Sequence, residues 1–304
     1  MTRSSRSSLS TGLAFISPWI VGFCVFMLYP LAASIYYSFC DYSVLLPPVF
    51  VGIENYGELA SDKVFWVSLY NTFFFAFFSL GLGLIVSLSL AILLNLKVPG
   101  QAFYRTIFFL PSLVPVVALS ILWMWIFNSN SGLLNGMLEG IVNRAYQLAG
   151  KEPTFAGPNW LGSETWAMPA LILMSLWGVG HPIVIYLAGL QDIPKSLYEA
   201  AEIDGASGWQ RIWYITIPML SPVIYFNLIM GIIGSFQVFA APYIMTGGGP
   251  GRATLFYAMS VYNLAFEDLR MGYASAMAWI LFIIILALTL LATRFSRRYV
   301  QYER

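Results

Sequence analysis

The apolar residues of this chain gather in six long runs, separated by polar segments rich in glycine, proline and aromatic residues. A helix needs roughly 17–25 mostly apolar residues to cross the hydrocarbon core of a bilayer, and every run is long enough. Prolines inside the runs are compatible with spans, because neighbouring helices and waters can satisfy the freed carbonyls. We therefore predict six transmembrane helices, at about Leu13–Tyr37, Val67–Leu96, Thr106–Phe127, Trp166–Leu190, Pro222–Ile244 and Tyr273–Thr293.

The first run has two interpretations, because Arg3 and Arg6 precede it as basic residues precede the apolar part of a signal peptide. Its apolar core is longer than the 7–15 residues typical of a signal peptide. An uncleaved first span is the favoured interpretation.

The composition agrees with a membrane protein. Of the 304 residues, 59% are hydrophobic and 10% are charged, and the mean hydropathy is +0.75. A soluble domain is about 45–50% apolar, with about a quarter of its residues charged. We predict an all-α membrane protein that forms a single transmembrane domain over residues 1–304. The net charge of +1 argues against a nucleic-acid partner, and Cys24 and Cys40 are too far apart on one span to form a disulfide.

The basic residues predict the orientation, since cytoplasmic loops carry an excess of Lys and Arg. With both termini in the cytoplasm, the inner segments hold ten basic residues and the outer segments hold five. The inner set is Arg3, Arg6, Lys97, Arg105, Lys195, Arg211, Arg294, Arg297, Arg298 and Arg304; the outer set is Lys63, Arg144, Lys151, Arg252 and Arg270. We therefore predict six spans with cytoplasmic termini and three sizeable outer segments, at about Ser38–Trp66, Asn128–Thr165 and Met245–Gly272.

The segment 191–220 is a compact polar stretch between the fourth and fifth predicted spans. Asp192 is placed to cap a helix that begins at Pro194. Gly205 suits the left-handed end of that helix, and Ser207 can cap a second short helix. The residues alone allow two interpretations: a solvated turn kept out of lipid by its charges, or a rigid inner element that passes motion between a soluble partner and the spans.

The order of residues in the loop favours the second interpretation. Glu199-Ala200-Ala201, three residues, Gly205, nine residues and then Ile215-Thr216-Ile217-Pro218 resembles the EAA loop in permease subunits of ABC importers. The family pattern ends Ile-x-Leu-Pro, so Ile217 departs mildly from it. In that family the loop docks into a groove on a cytoplasmic ATPase, so we call residues 191–220 the coupling loop. The resemblance implies ATPase-coupling residues here at Tyr198, Glu199, Ala200, Ala201, Asp204, Gly205, Ala206 and Pro218.

Four further motifs extend the resemblance over nearly the whole chain: VGIENY (51–56), NTFFF (71–75), LAGLQDIP (187–194) and TGGGPGRAT (246–254). They resemble segments of the maltose and glycerol-phosphate permeases, in the carbohydrate branch of the family. The resemblance implies a type I ABC importer permease fold in the lipid of a bacterial inner membrane. It also implies three kinds of partner: a second homologous permease subunit, two cytoplasmic ATPases that bind ATP and Mg, and an extracellular solute-binding protein.

No cofactor is predicted in this chain itself. The stretch GGGPGRAT lacks the Gly-x4-Gly-Lys-Ser/Thr pattern of a phosphate-binding loop, and it lies at the end of a span. A single histidine leaves no Cys/His cluster for a metal and no Ser/His/Asp set for hydrolysis. We therefore expect a transport subunit and not an enzyme.

His181 lies about midway along the fourth predicted span. An ionisable residue at that depth is a candidate functional residue. Alternatively, it is a neutral imidazole that bonds a carbonyl exposed by Pro182. Because Gly178, Gly180 and Pro182 disturb the helix, and substrate sites near the midplane favour interrupted helices, Gly178 and His181 are candidates for substrate contact.

The fifth predicted span carries polar residues suited to a sugar. Amide and hydroxyl groups can bond sugar hydroxyls, and aromatic rings can stack on the apolar face of a sugar. Packing between helices is the alternative role for small and amide residues. The candidates for substrate contact on this span are Asn227, Ser235, Gln237, Phe239 and Tyr243.

These observations predict the transmembrane subunit of an ATP-driven importer for a mono- or oligosaccharide or a related polyol compound. An ABC permease for another solute, such as a polyamine or glycerol phosphate, is the first alternative. A secondary transporter acting alone is the second, and it should carry buried charged coupling residues and internal symmetry, neither of which is evident.

Overall fold

The computed structural model describes residues 3–96 and 98–296, with only the backbone described for residues 3–10. Of the basic residues used for orientation, Lys97, Arg297, Arg298 and Arg304 lie outside the described residues, and nothing is described of the side chains of Arg3 and Arg6. The described residues are mostly helical. The first seven helices are α1 Arg3–Phe23, α2 Tyr29–Tyr37, α3 Glu54–Ser61, α4 Lys63–Asn95, α5 Gln101–Phe109, α6 Val116–Ile126 and α7 Leu133–Leu148.

The remaining helices lie between residues 167 and 296. They are α8 Ala167–Trp177, α9 Gly180–Asp192, α10 Lys195–Ile203, α11 Gly208–Arg211, α12 Ile217–Met219, α13 Ser221–Phe236, α14 Ala240–Met245, α15 Tyr257–Tyr262 and α16 Met271–Ser296. π-helical turns cover Cys24–Leu28, Ile212–Thr216 and Asn263–Glu267, and a 3-10 turn covers Leu110–Leu113.

Four helical stretches in the described residues are individually long and apolar enough to cross a membrane: Thr11–Tyr37, Lys63–Asn95, Ser221–Met245 and Met271–Ser296. Two bent pairs would raise the number to six if each pair is one span. They are Gln101–Leu113 with Val116–Ile126, bent by 100°, and Ala167–Trp177 with Gly180–Asp192, bent by 43°.

The run predicted as the third span is thus two helices. Pro111 lies in the 3-10 turn, and Val114 and Pro115 adopt extended backbone, with ψ of 127° and 138°. A residue before proline is driven out of the α region, and proline has no N–H to continue the helix. The two prolines therefore end one helix and begin the next.

The described residues form two compact units: residues 3–62 with 261–282, and residues 63–260 with 283–296, residue 97 excepted. In the first unit, Cys40–Asp41 pairs antiparallel with Val49–Phe50 as a short hairpin, β1 and β2. Asn55, from the VGIENY motif, donates to the carbonyls of Ser38 and Cys40 at 3.0 and 2.9 Å. The motif thus fastens α3 to the hairpin.

The start of α16 completes the first unit. Arg270 pairs with Glu58 at 2.6 Å, and the Tyr273 hydroxyl donates to Asp62 at 2.9 Å. The amide of Gly272 donates to the Tyr42 carbonyl at 3.0 Å. Both cysteines are free, as predicted.

The second unit contains two apolar clusters. The first joins α4, α6, α8 and α14, with Phe127, Trp160 and Phe256 among its buried members. The second joins α4, α9 and the end of the coupling loop, around Tyr186 and Leu220. The first cluster surrounds the cavity described below, and the second carries the coupling loop.

Candidate functional site

A cavity of about 510 Å³ lies in the second unit, where two helical spans are interrupted. Gly178 lies at the break between α8 and α9, and Gln237 to Phe239 lie at the break between α13 and α14. Val116 and Leu119 of α6 form another wall. Interrupted helices expose backbone groups to a cavity, which is the arrangement typical of substrate sites in transporters.

The lining is mainly apolar, with a small number of polar groups. The Ser175 hydroxyl donates to the Ile172 carbonyl at 2.6 Å, so it is already engaged. The Gln237 side chain is exposed and makes no hydrogen bond within the described residues. Its amide can therefore both donate to and accept from a bound molecule.

Aromatic rings form part of the same lining. Phe75, Phe239 and Phe256 line the cavity. Phe239 stacks on Tyr243, with ring centroids 5.1 Å apart and planes inclined by 28°. Phe75 meets Phe256 edge to face at 5.1 Å. The site therefore combines flat apolar faces with one uncommitted amide, and no charged side chain is among its described lining residues.

The structure brings Gly178, Gln237 and Phe239 together at this cavity, as two helix breaks converge there. His181 does not line it: the imidazole is exposed and meets the Phe109 ring edge to face at 5.6 Å. Tyr243 reaches the cavity only through its stack on Phe239.

The other polar residues of the fifth span face inwards. Ser235 is buried, and its hydroxyl donates to the Ile232 carbonyl at 3.2 Å. Asn227 is buried, donates to the Val223 carbonyl at 3.2 Å and lies near the Tyr186 hydroxyl. Both side chains thus bond carbonyls of their own helix.

Two motifs from distant parts of the sequence fold onto each other. The Asn71 amide of NTFFF donates to the carbonyls of Arg252 and Leu255, at 2.8 and 3.1 Å. The next residue, Thr72, accepts a hydrogen bond from the amide of Tyr257 at 2.9 Å. α4 thereby holds the TGGGPGRAT loop.

The TGGGPGRAT loop is also braced from within. The hydroxyls of Thr246 and Thr254 lie 2.7 Å apart, and Thr254 donates to the Gly249 carbonyl at 2.7 Å. Gly251 has φ of +55°, and a Cβ there would collide with the Glu164 carboxylate. The threonines and glycines of the motif thus form a braced loop, which ends just before Phe256 of the cavity wall.

The coupling loop is two short helices joined by a left-handed glycine. α10 ends at Ile203, and Gly205 has φ of +76°, as predicted. Ser207 caps α11 in a reciprocal capping box with Gln210, which confirms its predicted role. The prediction for Asp192 was wrong: it is the last residue of α9, and Pro194 stands before α10 with no side-chain cap. Because α9 extends to residue 192, no helix start is available there for its carboxylate.

The loop is anchored to the spans. The hydroxyls of Tyr198 and Thr216 lie 2.9 Å apart, and Thr216 also donates to the Arg211 carbonyl at 3.3 Å. Tyr198 and Ile215 pack against the second apolar cluster. These contacts join α10 to the packing between α4 and α9.

The surface of the loop around Glu199 and Gly205 is open. Glu199 and Ala200 are exposed, Ile203 is 87% exposed, and nothing lies within 4 Å of a Cβ built on Gly205. Of the other predicted coupling residues, Ala201 and Ala206 are half-buried partners in the turn, where the Ala206 amide donates to the Ala201 carbonyl at 2.8 Å. The remaining two are Asp204, exposed, and Pro218, half-buried.

Comparison with known proteins identifies the family. Residues 79–301 match the family described as binding-protein-dependent transport system inner membrane component. The chain belongs to this family. It is 39% identical over 308 residues to the probable ABC transporter permease protein YesP of Bacillus subtilis (strain 168), with 99% of this chain and 95% of that protein covered. It is 35% identical over 304 residues to the lactose transport system permease protein LacF of Rhizobium radiobacter, with 96% and 97% covered.

A solved structure shares the fold of this permease. The crystal structure of a bacterial alginate ABC transporter, in complex with an alginate pentasaccharide-bound periplasmic protein, contains a chain that matches with a TM-score of 0.82. The identity is 24%, and the match covers 99% of this chain and 98% of that chain. The permease is accordingly a multi-pass inner-membrane protein with the ABC transporter permease fold.

Sequence reasoning missed several residues of the cavity of this permease. Phe75, Ser175 and Phe256 line it, yet in the sequence they are ordinary members of apolar or motif segments. The available signal was that Phe75 is the last residue of NTFFF and Phe256 follows TGGGPGRAT by two residues, and these two motifs fold together. Tyr198 was named for coupling, but its bond to Thr216 could not be read from the sequence.

Proposed function

We propose that this chain is the transmembrane subunit of an ATP-driven importer that translocates a sugar, a mono- or oligosaccharide or a related polyol compound. An extracellular solute-binding protein delivers the solute. The curated relatives named above include a lactose permease, and the solved relative belongs to an alginate importer. These names support a carbohydrate for this chain too.

The observation that carries the proposal is the cavity between the two helix breaks. Its described lining offers the Gln237 amide and the faces of Phe75, Phe239 and Phe256, and it contains no charged side chain. Hydroxyl groups of a sugar fit an uncommitted amide, and its C–H face fits an aromatic ring. A phosphate-bearing or polyamine solute would leave a charge unpaired in an apolar wall, which is costly. The lining therefore favours a neutral solute.

The coupling loop supplies the connection to an energy source. Two cytoplasmic ATPase subunits, which bind ATP and Mg, receive the exposed face of α10 near Glu199, Ala200 and Gly205. Their closure moves Ser196–Trp213, and the anchored Tyr198 carries this motion to the spans. Six spans with cytoplasmic termini form half of a pathway, and a homologous second permease completes it as a heterodimer.

Reconstitution tests this proposal. The chain is co-expressed with its neighbouring permease and ATPase genes, and the complex is placed in proteoliposomes with its solute-binding protein. We expect ATP-dependent uptake of a neutral sugar that the binding protein itself binds in a calorimetric screen. A binding protein that takes only solutes without a sugar or polyol group would contradict the sugar, and one that takes only acidic or basic sugars would contradict the neutral solute. Uptake driven by an ion gradient without ATPase would contradict the importer.

A further inference from the structure

Helix α7, between the third and fourth apolar runs, has its polar side chains directed towards the protein. The Asn135 amide donates to the Pro158 carbonyl at 3.1 Å and accepts from the Trp160 indole at 2.7 Å. The Glu139 carboxylate accepts from the amide of Gly157 at 2.8 Å. Asn143 exchanges two hydrogen bonds with the backbone of Phe155, at 3.0 and 3.1 Å. These groups are committed to the segment 155–160.

The opposite face of α7 is apolar and open. Leu133, Met137, Ile141 and Leu148 are exposed by 51%, 57%, 66% and 87%. Gly136 and Gly140 leave a groove of about 530 Å³ beside them. A helix in contact with water normally presents polar residues outwards, and an apolar face of this kind marks an interaction surface. The environment that meets this face must therefore be apolar.

The position of α7 indicates which apolar environment this is. Only a short turn separates the helix from α6, and in this turn the amide of Gly132 donates to the Asn128 carbonyl at 3.0 Å. Leu134 and Leu138 pack on the cluster that contains Phe127, at the end of α6. α7 is thus held at the level where two spans end.

Exposed tryptophans mark the same level. Trp125, in the last turn of α6, is 57% exposed, and Trp166, just before α8, is 43% exposed. Tryptophan concentrates where a span meets the lipid headgroups. The apolar face of α7 is consequently continuous with the membrane surface of the spans.

The charge on this face agrees with lipid. Arg144 is exposed beside Ile141 and Leu148, and it makes no ion pair within the described part of the chain. The outward residues from Leu133 to Arg144 include no acidic side chain. An arginine at the edge of an apolar face can extend its guanidinium to lipid phosphates while its stem stays in the apolar layer.

We propose that α7 is an interfacial helix, whose face formed by Leu133, Met137, Ile141 and Leu148 inserts into the bilayer leaflet at this end of α6 and α8. Arg144 lies at the depth of the lipid phosphates. In the predicted topology this is the outer leaflet, but the inference holds for either orientation. It is also independent of the transported solute.

Collision measurements on a spin label test this proposal. The full-length chain, alone and co-purified with its partner subunits, carries Cys24→Ser and then Ile141→Cys, labelled with a nitroxide in nanodiscs of phosphatidylethanolamine and phosphatidylglycerol. Cys40 is buried, and the Cys24→Ser parent reports any residual labelling. Glu152→Cys, at an exposed position beyond α7, is the matched control.

We expect the label at Ile141 to collide several-fold more with oxygen, relative to a water-soluble nickel complex, than the label at Glu152. Met137→Cys should behave like Ile141→Cys, which guards against a local fault in one variant. Collision dominated by the nickel complex at both α7 positions would overturn the proposal. Protection from both reagents would also overturn it, because a protein surface and not lipid would then cover the face.

Discussion

Replacing Gly205 by alanine or by tryptophan tests two properties of the coupling loop separately. The first is the left-handed backbone at this residue, and the second is the open space beside it that a partner would occupy. The residue has φ of +76°, and a Cβ built on it meets nothing within 4 Å. Alanine therefore adds conformational strain without a collision inside this chain. Tryptophan adds the same strain together with bulk that only a docked partner would meet.

The expected cost follows from the backbone geometry. A non-glycine residue in the left-handed region costs about 1–2 kcal/mol, and asparagine tolerates this region better than alanine. The turn is closed by Gly205 N–H to the Glu202 carbonyl at 3.1 Å and by Ala206 N–H to the Ala201 carbonyl at 2.8 Å. Each such bond contributes about 0.5–1.5 kcal/mol net, so the strain is comparable to one or two of them. A cost of 1–2 kcal/mol shifts the population of the turn roughly 5–30-fold.

Two assays distinguish the contributions. Thermal unfolding of the purified chain should show the same small loss for Gly205→Ala and Gly205→Trp, and less for Gly205→Asn. Solute-stimulated ATP turnover of the reconstituted complex should fall several-fold for Ala, less for Asn, and vanish for Trp. Full turnover in the Trp variant would refute the docking of a partner at this loop. A Trp variant much less stable than the Ala variant as an isolated chain would refute the open space around Gly205.

Three further substitutions test other parts of the structure. Gln237→Ala should raise the sugar concentration needed for half-maximal uptake roughly 2–13-fold, since a lost neutral hydrogen bond to substrate costs about 0.5–1.5 kcal/mol. An unchanged transport profile would return Gln237 to a packing role. Asn71→Ala leaves the buried carbonyl of Leu255 and that of Arg252 without their donor. Calorimetry of the purified chain should therefore show about 1–3 kcal/mol of stability lost, and a loss near zero would contradict the bracing of the TGGGPGRAT loop by α4. Gly178→Ala adds roughly 0.5–1 kcal/mol of helix preference at the break and should slow uptake without lowering the melting temperature; the control Gly81→Ala, inside continuous α4 with open space at its Cβ, should leave uptake unchanged.

Local chemistry made the coupling loop largely predictable. Gly205 ends a helix because glycine enters the left-handed region without steric cost, and Ser207 caps because its hydroxyl reaches the third amide of α11. The error at Asp192 arose because sequence spacing does not fix where the preceding helix ends. The third apolar run is divided into two helices because Pro111 and Pro115 both interrupt it, at adjacent turns. The sequence alone does not say whether neighbouring groups will satisfy the carbonyls that such prolines free.

The candidate substrate site was less predictable, since it depends on which faces of the spans meet. Gln237 and Ser235 are two residues apart, yet the helix ends between them, so Gln237 reaches the cavity and Ser235 bonds its own helix. His181 is three residues from Gly178 but lies beyond the break, on an exposed face. A pattern of polar positions identifies the span, whereas the helix breaks determine which members face the cavity.

The same breaks place the cavity beside the helix that leads to the coupling loop. Gly178 lines the cavity, α9 starts two residues later, and α10 begins three residues after α9 ends. A helix of 13 residues is about 20 Å long, and the second apolar cluster packs α9 against α4 and Leu220. If α8 and α9 were one continuous helix, a displacement of the coupling loop would have to tilt the whole of that helix. With a break at 178–179, we expect α9 to shift along α4 while α8 keeps its packing around Phe127. The cavity wall would then change at Gly178, which lies where the two helices meet.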